Sequence, residues 1–417
     1  MKKLLSLLLA GALSLGLLAG CSADKKDDGK PDGSSSKPAA VEPMDLTKVK
    51  DIYKSTAGIK GDTVVAKVGD LDITAANLLY WINYGIESYL YQVAPYGVTR
   101  VDWDMETGTD KTPAESFMAD ALETAAFHVL LPEIAKKEGV ALTDEELKFM
   151  EDDLAKAEEQ AGGAEALEHM MWFQMATLEM QQANYAAGAY YMHLSDKFYG
   201  KDSEGYPSDA DVVDYAENEM GAYRAKHILI STKDVKTGEP LPEDKIADQK
   251  ALAEKLVEQI KDAEDPAALF DELMKAHSQD PGLATAPEGY DAFKGQMVPE
   301  FEKAALALKE GEISGVVESQ HGYHIIMRLP LRDLDRYREQ MVGAKMDERI
   351  QDWLEEYGVE TKKAIKKIDI PEYRSKVESL QAGIREEVKA NMPAPENKVP
   401  APPVEGDTSK ADSSAKD

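Results

Sequence analysis

A chain of 417 residues with a single cysteine, Cys21, has little room for thiol chemistry. That scarcity excludes an intramolecular disulfide, a thiolate-ligated metal centre and a cysteine nucleophile in the folded body. Basic residues are also in short supply: 48 Lys+Arg face 78 Asp+Glu, for a formal charge of −30. A nucleic-acid binder needs a positive surface for its phosphate contacts, so this balance argues against one. Aromatic residues make up only 7% of the chain, yet 43% of it is hydrophobic and 30% charged. That is enough apolar material for a packed core, and it rules out a wholly disordered chain. At this length two or more domains are expected.

The N-terminus combines a basic start (Lys2, Lys3), an apolar run of marginal length for a membrane span, and small residues before Cys21. Residues 1–20 therefore read as a secretory signal peptide. Leu18-Ala19-Gly20-Cys21 resembles the lipobox of bacterial lipoproteins, which implies cleavage before Cys21 and acylation of its thiol. Two or three acyl chains anchor a protein stably where one does not. The expected location is the cell membrane, lipid-anchored on the extracytoplasmic face. Adhesion of so acidic a chain to an anionic membrane must come from lipid, not charge.

Residues 21–58 are expected to carry the acylated cysteine and a flexible tether. Their 22–43 portion is rich in Ser, Pro, Gly, Asp and Lys with no apolar period, and residues 393–417 read similarly as a disordered tail. Residues 64–74 alternate and turn at Gly69-Asp70, which predicts a hairpin followed by a helix capped at Thr74. Helical periodicity follows over 113–137, 143–160 and 164–198, with capping-box spacing in Thr143-Asp144-Glu145-Glu146. The third of these carries Met170, Met171, Trp172, Phe173, Met175 and Met180, which suit a helical core better than an adaptable groove for apolar ligands.

From Tyr223 the pattern changes. A strand-like run over 223–230 leads to helices over 246–262 and 266–277, then a turn-rich stretch at 278–295. A short helix over 299–308 and strands at 316–318 and 323–329 complete the segment. The order β, helices, β, helix, β, β predicts one compact α+β domain over 223–330. Residues 331–357 and 372–389 again read as helices. The expected fold class is α+β, with this domain inserted between the two parts, 59–222 and 331–392, of a mostly helical region.

Four of the seven histidines, His227, His277, His321 and His324, fall inside the α+β segment. His321 and His324 lack the one-turn helical geometry of paired metal ligands, because Gly322 and the flanking alternation point to strand. His169 has no second histidine four residues on, so the zinc-protease signature is absent, and no nucleophile elbow supports Ser-His-Asp hydrolysis.

Four stretches match, in order and spacing, the motifs of parvulin-type peptidyl-prolyl cis-trans isomerases. They are Ala225-Lys226-His227-Ile228-Leu229-Ile230, Gly295-Gln296-Met297-Val298-Pro299-Glu300-Phe301-Glu302, Lys309-Glu310-Gly311-Glu312-Ile313-Ser314 and His321-Gly322-Tyr323-His324-Ile325-Ile326. The whole chain, lipobox first and parvulin-like module between helical segments, is similar to the PrsA-type extracytoplasmic foldases of Gram-positive bacteria. The resemblance implies that His227, Asp280 and His324 form the polar, catalytic part of the site. It also implies that Met297 and Phe301 wall the proline pocket, with Tyr290 where a leucine usually stands. Neither a metal nor a cofactor is implied. The partners it implies are unfolded or newly secreted polypeptides with X-Pro bonds, and it leaves a homodimer open.

Rotation about an X-Pro bond is slow because amide resonance must be broken, and no nucleophile is required to speed it. An apolar cup for the ring and a polar cluster against the twisting amide suffice. Met297 and Phe301, four apart on the short helix, are expected to form the cup. The two histidines are expected to fix each other's tautomers by mutual hydrogen bonds. The pattern departs from the family in two places: Glu288-Gly289-Tyr290-Asp291-Ala292-Phe293 replaces a Gly-Asp-Leu-Gly turn, and His321 replaces an aromatic. These departures motivate the alternative of a holdase whose module is inactive and only binds peptides. The loop after the first strand holds Lys233 and Lys236 among acidic residues rather than adjacent arginines, which argues against phosphate-directed specificity. A solute-binding lipoprotein would fit the tether but not these motifs.

Overall fold

The structure, a computed structural model, describes residues 41–234 and 236–391. The signal peptide, Cys21 and the tail at 393–417 lie outside the described residues. Along the chain run α1 (Ile52–Ala57), β1 (Val64–Val68), β2 (Leu71–Thr74), α2 (Ala75–Val93), α3 (Pro113–Lys137), α4 (Asp144–Ala161), α5 (Ala164–Phe173), α6 (Leu178–Tyr199) and α7 (Asp209–Asp214). Then come β3 (Ala222–Ser231), α8 (Glu243–Lys261), α9 (Pro266–His277), β4 (Tyr290–Phe293), α10 (Pro299–Ala307), β5 (Val317–Ser319), β6 (Gly322–Leu329), α11 (Leu334–Tyr357), β7 (Val359–Thr361) and α12 (Ile370–Asn391). They fold into two compact units.

The first unit comprises residues 41–126, 145–183 and 360–391. Its small sheet has the order β2-β1-β7, so chain from beyond the α+β segment returns to pair with the opening hairpin. Thr74 caps α2 through a reciprocal bond with Asn77. Leu78, Leu79, Ile82 and Ile86 recur at helical spacing and are buried, as are Tyr373, Val377, Leu380 and Ile384 of α12. The Tyr373 hydroxyl donates to the Leu79 carbonyl at 2.8 Å.

Two sequence expectations need correcting in this unit. Residues 52–57, expected in the tether, form α1. Asp51 caps it by accepting from Tyr53 and Lys54 N–H, and Gly58 ends it in the left-handed region. Ile52 and Tyr53 are buried, which gives this short helix the tertiary support it lacks alone. The single helix expected over 164–198 is two. Met175 takes φ 60° between α5 and α6, and its carbonyl accepts the Tyr53 hydroxyl at 3.1 Å. Met171, Trp172, Met175 and Met180 are buried here, so this part of the stripe is core.

The second unit comprises residues 127–144 and 184–359 and holds an antiparallel sheet of order β4-β3-β6-β5. Alternation along β3 and β6 sorts their side chains onto two faces. Ile228, Ile230, Tyr323, Ile325 and Met327 pack against Leu256, Val257 and Ile260 of α8 and Phe270 and Met274 of α9. The opposite face presents Tyr223, Ala225 and Ile326 to Phe301 and Ala305 of α10. His227 and His324 lie on that second face.

Candidate active site

In the register of β3 with β6, His227 lies opposite Ile326 and Leu229 opposite His324. The two histidines are therefore diagonal neighbours on one face, close enough for their rings to meet. Their centroids are 5.2 Å apart with 67° between planes. Phe301 presents its ring to both, at 5.1 Å from His227 and 5.6 Å from His324. It is 3% exposed, so it forms the floor beneath the imidazoles.

Asp280 reaches the site because of how β3 ends its pairing with β4. That pairing covers only Ala222 to Ala225, and further along the strand the loop after α9 takes over. Gln279 N–H donates to the Leu229 carbonyl at 2.8 Å, Leu229 N–H to Ser278 Oγ at 3.1 Å, and Ser231 N–H to Gln279 Oε1 at 2.7 Å. Strand edge groups would otherwise lack partners, so these bonds fix the loop. Asp280 then caps the turn at Pro281–Ala284, and its Oδ2 comes 3.5 Å from His227 Nε2.

The expected mutual hydrogen bonds between the histidines are not formed. Among the described residues, neither His227 nitrogen, nor His324 Nδ1, has a hydrogen-bond partner. His324 Nε2 instead meets Ser319 Oγ at 2.7 Å, because the short strand β5 brings Ser319 alongside β6. Asp280 Oδ2 likewise accepts from the Tyr290 hydroxyl, at 2.5 Å. A second correction concerns Met297. It lies before α10, whose first residue is Pro299, so Met297 and Phe301 are not one turn apart on a helix. Pro299 at the first helical position sets that start. Half-buried Met297 still packs on the same apolar cluster as Phe301.

Burial lowers the pKa of His227, against the raising effect of the Asp280 carboxylate. His324 is pushed down to about 3, chiefly by burial, with further contributions from His227 and His321. Both imidazoles are thus neutral at neutral pH, each with one donor and one acceptor nitrogen. The Tyr290 phenol is raised by burial and then by its bond to Asp280, which keeps it a donor.

The structure thus gathers His227, Asp280, His324, Tyr290 and Phe301 at one place, with Met297 at its apolar border. His277 and His321 are exposed and outside the cluster. Sequence reasoning missed Ser319, since nothing local distinguishes a serine on a three-residue edge strand. It also missed the bond between Tyr290 and Asp280, which depends on how the turn-rich segment folds back.

The chain is similar to known proteins. The family "Rotamase: PPIC-type PPIASE domain" matches residues 227–329. The foldase protein PrsA of Staphylococcus aureus strain bovine RF122 / ET3-1 is 31% identical over 258 residues, covering 58% of this chain and 74% of that relative. The same protein from strain Newman gives the same identity and coverage. Among solved structures, PrsA from Bacillus subtilis is 21% identical, with TM-score 0.21, covering 72% of this chain and 96% of its own. NmPin, the parvuline of Nitrosopumilus maritimus, is 31% identical, with TM-score 0.19, covering 26% of this chain and 97% of its own.

Proposed function

The chain belongs to the PrsA foldase family and is a peptidyl-prolyl cis-trans isomerase that assists protein folding, and from this premise we propose a lipid-anchored foldase acting on secreted polypeptides. The anchor is the acylated Cys21 and the location the extracytoplasmic face of the cell membrane. The reading of location is supported by the lipobox-like Leu18-Ala19-Gly20-Cys21. Its clients are unfolded chains whose X-Pro bonds must turn before they can fold.

The active site in this reading consists of His227, Asp280 and His324 with Phe301, Met297 and Tyr290 around them. One observation carries the assignment: two imidazoles meet edge to face above a phenylalanine floor, with both His227 nitrogens and His324 Nδ1 left without a hydrogen-bond partner among the described residues. The barrier to X-Pro rotation is about 18–20 kcal/mol because the planar amide is resonance-stabilised. A proline ring held against Phe301 and Met297 loses contact with water. As the amide twists, the prolyl nitrogen regains its lone pair and the carbonyl loses negative charge. A site that offers a donor to that nitrogen and little stabilisation to the planar carbonyl favours the twisted form. Neutral imidazoles can donate without placing a full charge on the substrate. Nothing is covalently attacked and no proton leaves.

Refolding of a proline-limited model protein tests the site. The soluble form lacking residues 1–21 is expected to accelerate the slow phase, and His227→Ala and Asp280→Ala are expected to lose that acceleration while remaining folded. Folded variants as fast as the parent would refute the assignment. For the anchor, Cys21→Ser is expected to stop labelled fatty-acid incorporation and to release the protein from the membrane fraction.

A further inference from the structure

Tyr290 and His227 face the same carboxylate oxygen. Asp280 Oδ1 accepts Gly282 N–H at 3.1 Å, and Oδ2 accepts the Tyr290 hydroxyl at 2.5 Å. His227 Nε2 is 3.5 Å from that Oδ2 without a hydrogen bond to it. The phenol ring lies nearly parallel to the imidazole, at 17°, with centroids 5.9 Å apart. The backbone leaves space for this arrangement at Gly282, where a Cβ would stand 2.0 Å from the Tyr290 hydroxyl oxygen. Phenol, carboxylate and glycine therefore form one built unit around a single oxygen.

We propose that Tyr290 is a positioning residue of the isomerase site: its hydroxyl engages Asp280, holds the carboxylate off His227, and leaves the His227 nitrogens free for the substrate amide. This rests on the assignment of His227, Asp280 and His324 to the active site. A tyrosine in the wall does more than a leucine would, since an aliphatic side chain offers Asp280 no donor. Deprived of the phenol, Oδ2 finds its nearest ring nitrogen in His227 Nε2, and a carboxylate at such a distance favours the protonated imidazole. The groups that face His227 are Asp280 from the loop after α9, Tyr290 from β4, His324 from β6 and Phe301 from α10. His324 opposes a charge on His227 only when it is itself charged, and its burial prevents that down to about pH 3. His321, in the turn before β6, disfavours protonation of His324 further.

The test is a titration of His227 by nitrogen NMR in the full chain labelled at histidine, the signal assigned by its loss in His227→Gln. Two variants break the same bond by different routes: Tyr290→Phe removes the hydroxyl, and Gly282→Ala displaces it. In both, the His227 midpoint is expected to rise by about one pH unit or more. The loss of kcat/KM on an X-Pro peptide is expected to be severalfold greater at about pH 5.5 than at about pH 8, because a protonated imidazole places a full positive charge beside the substrate, which stabilises the negative carbonyl of the planar amide more than the twisted form. An unchanged His227 midpoint in folded Tyr290→Phe would overturn the proposal. So would a loss of activity that is the same at every pH, which is what a lost wall contact would give. Should Gly282→Ala fail to fold, Tyr290→Phe decides alone. A parent that does not accelerate isomerisation would instead strike the active-site assignment, while the titration would still report what Tyr290 does to His227.

Discussion

Ser319 Oγ lies 2.7 Å from His324 Nε2 and also accepts the His321 backbone N–H at 3.1 Å. With a lone pair taken by that amide, the hydroxyl proton is free to point at Nε2. With the proton so directed, the imidazole accepts at Nε2 and carries its own proton on Nδ1, which has no hydrogen-bond partner among the described residues. Ser319→Ala removes this control and leaves a buried acceptor unsatisfied. It is expected to cost about 1–3 kcal/mol in urea denaturation, and to lower kcat/KM on an X-Pro peptide. Ser319→Thr keeps the hydroxyl and is expected to recover both. Parent-like stability and activity in the alanine variant would mean that the tautomer is set elsewhere.

Buried neutral histidines make the fold sensitive to acid. His324 and His128 are held down to about 3 by burial, and His227 is lowered as well. In the unfolded chain each titrates near 6.5. Below that pH the unfolded state binds protons the folded state refuses, so stability falls as pH drops from about 6.5 towards 3, and does not depend on these groups above that window. The urea midpoint is expected to be level at mildly alkaline pH and to decline steadily through the acid range. His324→Asn should flatten part of the decline. A midpoint that holds constant on acidification would contradict the burial of these imidazoles.

The parts of this fold that follow from local pattern were legible in the sequence. Alternation put His227 and His324 on strands, and the helix expected over 266–277 is α9. The Val64–Thr74 hairpin and its Thr74 cap needed no long-range information. The rest depended on distant partners. The break at Met175 is stabilised by a hydroxyl from Tyr53, 122 residues away. Strand β7 is three exposed residues, identifiable only by their pairing with β1. Asp280 faces His227 because Ser278 and Gln279 satisfy the edge of β3, and side-chain bonds of that kind leave no periodic trace. Met297 was misplaced by reading helical spacing through Pro299, where the proline starts the helix instead of continuing it.

Phe301 and Met297 should separate stability from binding. Phe301 is 3% exposed and packs on Tyr223, Ala225, Ala305 and Ile326 as well as on both imidazoles. Phe301→Ala is expected to destabilise by about 3–5 kcal/mol, so its loss of activity carries a folding component. Met297 is half-buried in the loop before α10. Met297→Ala is expected to raise KM for an X-Pro peptide severalfold with little change in the urea midpoint. Equal stability losses in the two variants would place Met297 in the core and leave the proline cup without its flexible side.

Arg328 tests how the sheet that bears the site is held. Its side chain is 5% exposed, its Nη2 lies 2.5 Å from Glu217 Oε1, and its guanidinium stands 5.6 Å over the Tyr223 ring. A buried cation stripped of its counter-charge is expensive, whereas replacing both partners by apolar groups need not be. Glu217→Ala is expected to destabilise by about 3 kcal/mol, near the low end of the range for such breaks, because Glu217 is itself 32% exposed and water can reach part of the gap. The double variant Glu217→Leu with Arg328→Met should recover much of that loss in the same urea experiment. A Glu217→Ala cost below about 0.5 kcal/mol would mean that the pair behaves as a solvated surface bridge. In that case the burial of Arg328 would be sustained by Tyr223, and Tyr223→Leu would become the more damaging change.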